Sequence, residues 1–358
     1  MAGSVREDLP RGAASSGGCS LEPASVRRLV VVQLYFLGDT LLATPALRAL
    51  RRRFPGAALE VVVKRRSAAA LERNPNVDRV THYDPPRVWQ RPFHWAALAR
   101  GWRDGGVDLA VDLTADGRAE RLLAGMRPAH SVGFHREGRI AARPGIPKAC
   151  GPEHVSRHML ELVGLVGATG DARLEFHPSP GAREAARAWR GGLRGPVVAL
   201  HPGGNRKLRR WRPDRFAALA RGLAAGGAHV WVIGGRGERA LGALLAREGA
   251  EDASGRLDLD AAAARLEESD LLVANDSGPM HLAAAVGTPV LALFGPSLPH
   301  TAAPLGPQHA HLHVRLECCP CDQRRCVRPN DFCLDRIPVE QALERAREML
   351  GASVEGTP

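Results

Sequence analysis

Short unbroken apolar runs, each leading through a polar loop into an amphipathic stretch, recur along this chain. They constrain its fold more than any other feature. Leu29–Leu34 (LVVVQL) is the first. An apolar run of this length without polar alternation reads as a strand buried on both faces of a parallel sheet. After Tyr35–Asp39 comes TLLATPALRALRRRF, with Leu42, Leu47 and Leu50 on one side and Arg48, Arg51, Arg52 and Arg53 largely on the other. That is one helical pattern, ended by Phe54-Pro55-Gly56. Residues 59–63 and 107–113 read as further strands, with a helix near residues 93–103, loop over 134–156 and helix again over 158–166.

The pattern then repeats. Residues 176–181 (FHPSPG) read as a linker, and a helix-like stretch over 182–193 precedes a second series of strands near 197–200, 229–233, 271–274 and 290–294. Helices fill the gaps near 214–225, 238–248, 260–268 and 280–286, and PVEQALERAREML reads as a closing helix. Alternation of this kind predicts an α/β protein of two doubly wound, Rossmann-like halves. The expected organisation is a flexible segment over 1–25, an N-terminal domain over 26–180, a C-terminal domain over 181–337 and a final helix over 338–351. With 358 residues, two domain cores fit. No apolar run approaches the length of a membrane span. The first 18 residues carry no apolar stretch of signal-peptide type, so a cytoplasmic protein is expected.

The formal charge is +11, and only Lys64, Lys148 and Lys207 among the 49 cations are lysine. Basicity of this kind suits nucleic acid, anionic headgroups or a phosphorylated substrate. The few aromatics (eight Phe, six Trp, two Tyr) do not interleave with the cations as base-stacking platforms do, which lowers the nucleic-acid reading.

In doubly wound sheets, ligands bind beyond the carboxyl ends of the strands. Four loops fall there. Tyr35-Phe36-Leu37-Gly38-Asp39-Thr40 offers a tight turn and a carboxylate, either an N-cap or a general base. His201-Pro202-Gly203-Gly204-Asn205 offers backbone N–H groups to an anion, and Arg206, Lys207, Arg209, Arg210, Arg212 and Arg215 follow. Ile233-Gly234-Gly235-Arg236-Gly237-Glu238 is only a weak dinucleotide fingerprint; Glu238 suits ribose hydroxyls or a helix dipole. Asn275-Asp276-Ser277-Gly278-Pro279-Met280-His281 opens a helix whose N-terminus suits a phosphate, unless Asp276 or Ser277 simply caps it. Together the loops describe a nucleotide donor in the C-terminal half facing an acceptor and a base in the N-terminal half.

These residues resemble glycosyltransferase family 9, the ADP-heptose:lipopolysaccharide heptosyltransferases, through QLYFLGDTLLATPALRALRRRFP, HPGGNRKLRRWRPDRFAALA, VIGGRGERALG and ANDSGPMHLAAAVGTPVLALFGPS. The resemblance spans about residues 27–350. It implies a GT-B architecture, with the C-terminal helix packing back on the N-terminal domain. It also implies inverting heptose transfer from ADP-heptose to a sugar hydroxyl of a lipopolysaccharide core or similar glycan, with no required cofactor. By position, Asp39 is then the base and Lys207 or Arg209 the diphosphate cation. Gly38, Gly203, Gly204, Glu238, Leu257, Asp276, Ser277, Gly278 and His281 become donor contacts. Arg48, Arg51, Arg52 and Arg53, with Lys64, Arg65 and Arg66, form a basic face for an acidic glycolipid acceptor at the inner membrane surface, or one merely solvated.

Five of the seven cysteines crowd into CCPCDQRRCVRPNDFC. Cys318, Cys321, Cys326 and Cys333 offer four thiolates to a structural Zn or Fe, although the gaps are short for a zinc ribbon; reduced thiols are the simpler expectation in the cytoplasm. Cys19 and Cys150 stand apart. Two alternatives remain: a GT-B transferase for another nucleotide sugar or acceptor, and a basic nucleic-acid-binding protein with a Cys-metal knuckle.

Overall fold

A computed structural model describes residues 21–83, 100–114, 116–134 and 153–355. Cys19, Cys150 and most of the expected helix near 93–103 and of the loop over 134–156 lie outside them; residues 100–105 are helical. Two all-parallel sheets organise the chain. The first comprises β1 (Arg28–Gln33), β2 (Ala58–Lys64), β3 (Arg79–Tyr83), β4 (Leu109–Asp112) and β5 (His130–Gly133), in the order β3-β2-β1-β4-β5. The second comprises β6 (Val197–His201), β7 (His229–Val232), β8 (Glu251–Asp252), β9 (Leu271–Asn275), β10 (Val290–Phe294) and β11 (Ala310–His313), in the order β11-β10-β9-β6-β7-β8.

Each sheet reverses its winding direction once, between β1 and β4 in the first and between β6 and β9 in the second. The helices that cover neighbouring strands depart to opposite faces there, so a crevice opens at the carboxyl ends. The Gly38-Asp39 loop follows β1, and the Gly203-Gly204 and Ser277-Gly278 loops follow β6 and β9. Three of the four candidate loops therefore sit at switch points.

The strands found by apolar continuity are the central ones: β1, β6, β9 and β10 are buried along almost their whole length. Those missed (β3, β5, β8 and β11) lie toward or at sheet edges, where one side of the strand meets water and polar residues such as Arg79, His82, His130 and His311 are tolerated.

Three expectations change. The helix expected over 40–54 is two helices, α1 (Leu37–Leu42) and α2 (Thr44–Arg53), because Pro45 has no N–H for the Leu41 carbonyl; the Thr44 hydroxyl donates to that carbonyl instead, at 2.7 Å. Residues 21–26 are not a loose lead. Leu21 and Val26 are buried, and the Arg53 guanidinium donates to the Leu21 carbonyl at 2.8 Å. Third, the closing helix Val339–Glu355 packs on the second half, against the helix Pro213–Ala225, rather than back on the first. Ala342, Ala346 and Met349 share a core with Trp211 and Phe216. Gly222 makes the approach possible, since a Cβ there would lie 2.7 Å from Leu343 Cδ2.

The segment between the halves is tied down. Arg48 is buried and pairs with Glu175 at 2.7 Å and Asp171 at 2.8 Å, and the Phe176 N–H donates to the Ala285 carbonyl. Among the described residues no helix is long and apolar enough to cross a membrane.

Candidate active site

The carboxyl edge of the second sheet is a cross-braced set of loops. Asn275, fully buried at the end of β9, donates through Nδ2 to the carbonyls of Pro202 and Gly203, both at 3.0 Å, and accepts the Trp211 N–H at 2.9 Å. One amide thus locks the β6 loop to the β9 loop. Glu238 locks the β6 loop to the β7 loop: Oε1 accepts the Gly204 N–H and Oε2 the Gly235 N–H, both at 2.8 Å. Burial alone would raise the Glu238 pKa. The His201 contact and these two N–H groups outweigh it and hold the carboxyl at about 2. A Cβ on Gly203 would overlap the Glu238 carboxylate, and Gly204 has φ +145°, so this turn needs both glycines. The buried His201 ring spans Ser277 Oγ at 2.9 Å and Glu238 Oε2 at 3.4 Å.

Asp276 and Ser277 do not cap the helix Gly278–Ala285. No side-chain cap is present: Asp276 is instead paired with Arg209 at 2.9 Å and accepts the Ser297 hydroxyl, while Ser277 Oγ donates to the Asn275 carbonyl. The first N–H groups of that helix are left for another acceptor, at its positive end. Arg209 reaches this point from the β6 side, steered by Asp276 and by Gln323, which accepts from its Nε at 2.6 Å. Lys207 stands exposed on the turn Lys207–Arg209. Arg210 pins the Gly204 carbonyl from Nε at 2.9 Å. Leu257 is half-buried just beyond β8 at the same edge.

From the first half, Gly38 meets this loop directly. A Cβ on Gly38 would lie 2.9 Å from His281 Cδ2, and one on Gly278 3.6 Å from Leu37 Cδ2. The start of α1 therefore abuts the start of the Gly278 helix. His281 is buried; burial, then His154 and Arg209, drives its pKa down to about 3, so the ring is neutral, and its Nδ1 has no hydrogen-bond partner among the described residues. Asp39 is not an N-cap. It occupies the third position of α1, and its Oδ2 reaches back to accept the Phe36 N–H at 3.1 Å.

Beside Asp39 the first half presents cations. Phe36, 43% exposed, lies between Lys64, with Nζ 5.0 Å from the ring centroid, and Arg66, with its guanidinium at 4.4 Å. Burial, then Arg118 and Arg66, lowers the Lys64 pKa. Arg118 and Phe36 were not singled out from the sequence. An aromatic two residues before a Gly-Asp helix start, with Lys-Arg-Arg at the end of the next strand, is the signal that points to Phe36; Arg118, paired with Asp116 in the helix start after β4, has no such local signal. The rest of the expected basic face divides: Arg48 is internal, Arg51 pairs with Asp78, Arg53 bonds the Leu21 and Val166 carbonyls, and Arg52 is exposed.

The cysteine segment does not form a ready thiolate cage. Cys318, Cys319, Cys321, Cys326 and Cys333 are free thiols, and burial raises Cys333 to about 11. Among the described residues only Glu153, His158 and Glu161 bring three metal-ligating atoms within 4.8 Å of one another.

Two parallel sheets with candidate ligand loops at their switch points make up a GT-B architecture, and known proteins share it. The sequence profile of glycosyltransferase family 9 (heptosyltransferase) matches residues 95–330. The chain belongs to that family. It is 27% identical to lipopolysaccharide heptosyltransferase 1 of Pseudomonas aeruginosa, over 84% of this chain and 87% of that protein. It is 37% identical to lipooligosaccharide heptosyltransferase 2 of Campylobacter jejuni over 82 residues, spanning only 26% of that protein. Among solved structures, a family 9 glycosyl transferase from Veillonella parvula superposes with a TM-score of 0.80 at 22% identity, over 92% of this chain and 99% of that one. Escherichia coli ADP-heptose heptosyltransferase II gives 0.73 at 21% identity, over 90% and 98%. The iron-containing glycosyltransferase TibC of E. coli gives 0.58 at 16%, over 92% and 77%.

Proposed function

We propose that this protein is an inverting heptosyltransferase that moves a heptose from ADP-heptose to a sugar hydroxyl of a lipopolysaccharide core, working at the cytoplasmic face of the inner membrane without a required cofactor. The observation that carries the reading is the abutment of Gly38 on His281. Gly38 and Leu37 lie against the helix start of the other half, and Asp39 is the carboxylate next along the chain, which supports its reading as the base. Asp39 takes the proton of the acceptor hydroxyl. The oxygen forms its bond to the anomeric carbon from the face opposite the leaving group. The bond from that carbon to the β-phosphate oxygen breaks, and ADP departs with the electron pair. Negative charge grows on that oxygen in the transition state, where the helix N–H groups and Arg209 stabilise it. Arg209 is favoured over Lys207 because Asp276 and Gln323 already aim it. Neutral His281 offers hydrogen bonding to the sugar without a competing charge. Glu238 and Leu257 flank the nucleoside, although both Glu238 oxygens already hold backbone N–H groups. Lys64 and Arg66 meet the acidic acceptor, beside Arg118, whose guanidinium is paired with Asp116. The domains divide near residue 180, donor in the second and acceptor in the first.

The test is ADP release from ADP-heptose with a deep-core lipopolysaccharide acceptor, with UDP-glucose and GDP-mannose as controls. Release confined to the heptose donor, dependent on acceptor and lost in Asp39→Ala, is expected. Absence of turnover together with absence of ADP-heptose binding by calorimetry overturns the reading.

A further inference from the structure

The ligand edge of the second sheet continues past the donor loops. β10 ends at Phe294 and leads through Ser297 into the short helix Pro299–Ala302, and β11 ends at His313. Beside these strand ends lies an open cavity of about 380 Å³, whose polar lining is His154, His300, His311, His313 and Arg315. The other lining residues are Leu298, Pro299, Ala303, Pro304 and Leu305; none is acidic. Arg315 makes no ion pair among the described residues, and it and His300 are exposed at the rim. Two of the rings are already oriented: His154 Nε2 lies 3.0 Å from the Ala303 carbonyl, and His313 Nε2 lies 3.6 Å from Cys319 Sγ. Burial, then neighbouring His311, Arg315 and His300 among others, pushes the His313 pKa down. One wall is coupled to the donor loop, since Ser297 donates to Asp276.

A concave site rich in nitrogen donors, with one permanent cation and no carboxylate, is chemically suited to an oxyanion. We propose that this cavity is a second anion subsite, separate from the donor diphosphate site, that takes a phosphate monoester. On the transferase reading above, the phosphate is one carried by the acceptor, so that the donor half also grips the acceptor; free phosphate is the other source of the same chemistry.

The experiment uses the full chain saturated with ADP, so that the donor loops are filled, titrated calorimetrically with inorganic phosphate. The wild type is expected to bind one phosphate. Arg315→Gln, and separately His311→Gln, weaken it at least tenfold while ADP affinity and Tm stay unchanged. No phosphate binding under saturating ADP, or binding that Arg315→Gln leaves intact, overturns the subsite. This readout needs no turnover, so it is separable from failure of the transferase reading. Comparing phosphorylated and dephosphorylated core acceptors then assigns the source. A higher KM for the phosphorylated acceptor alone in Arg315→Gln, at unchanged kcat, supports the acceptor as occupant. An unchanged KM overturns that occupant and leaves free phosphate.

Discussion

On the carboxyl edge of the second sheet, the polar side chains are committed to one another: Asn275 to three backbone groups, Glu238 to two, Asp276 to Arg209 and Ser297. On the carboxyl edge of the first sheet Arg118 is paired with Asp116, but the outermost groups are long cationic chains laid over an exposed aromatic ring, Lys64 and Arg66 over Phe36. The difference follows what each edge is proposed to hold. A nucleotide sugar presents one fixed shape, and a rigid donor set aimed in advance costs no reorganisation when charge develops. An acidic glycan varies, and cations on flexible stems bind charge without demanding one geometry.

The sharpest way to break this comparison is at the contact between the two edges. Asp39→Asn keeps the shape of α1 but removes the proposed base; kcat is expected to fall about 10²–10⁴-fold, with ADP-heptose affinity unchanged by calorimetry. Equal loss of donor affinity would place Asp39 on the rigid side. Next comes the brace itself. Asn275→Ala leaves two buried carbonyls and the Trp211 N–H unpaired, a cost of about 3 kcal/mol. Thermal unfolding is expected to drop by roughly 6–12 °C, and donor affinity with it.

Acid sharpens the same point. The Glu238 carboxyl is held at about 2 against an ordinary 4.5. A depressed folded value contributes stability above the unfolded value, here about 3 kcal/mol, which is lost as pH falls from about 4.5 toward 2. Urea midpoints measured across that window should decline less steeply in Glu238→Gln than in the wild type. The smallest effect is expected on the adaptable side. Lys64→Ala or Arg66→Ala should raise the acceptor KM about tenfold, more at low salt than at high, with donor Kd and Tm unmoved. A Tm loss would mean that these cations brace the fold as Arg48 does.

Arg48 and Arg66 show where sequence reading stops. Both sit in arginine-rich stretches, and the sequence alone reads both as one basic face. One is buried between Glu175 and Asp171, 127 and 123 positions away; the other lies over Phe36 at a strand end. Nothing local to either run distinguishes them, because partners so remote meet only when the chain folds. The closing helix teaches the same lesson. Its amphipathic pattern was legible, but the surface it would choose depended on Gly222, whose missing side chain admits Leu343.

What the sequence determined by itself was local and periodic. Apolar continuity marked the central strands, glycines and caps marked the loops between strand and helix, and the order of those loops carried the family. These features are legible because they arise from backbone geometry and from burial on both faces, which act over a few residues. Only the tertiary structure decided which charges are locked inside the fold and which stay at the carboxyl edges. It set Gly38 and Leu37 against the Gly278 helix of the second half, turned Arg209 toward the β9 loop through Asp276, and joined two loops through the single amide of Asn275. Hydrogen bonds and ion pairs between remote segments are chosen by the packed sheets that bring strand ends together, and no spacing along the chain encodes that choice.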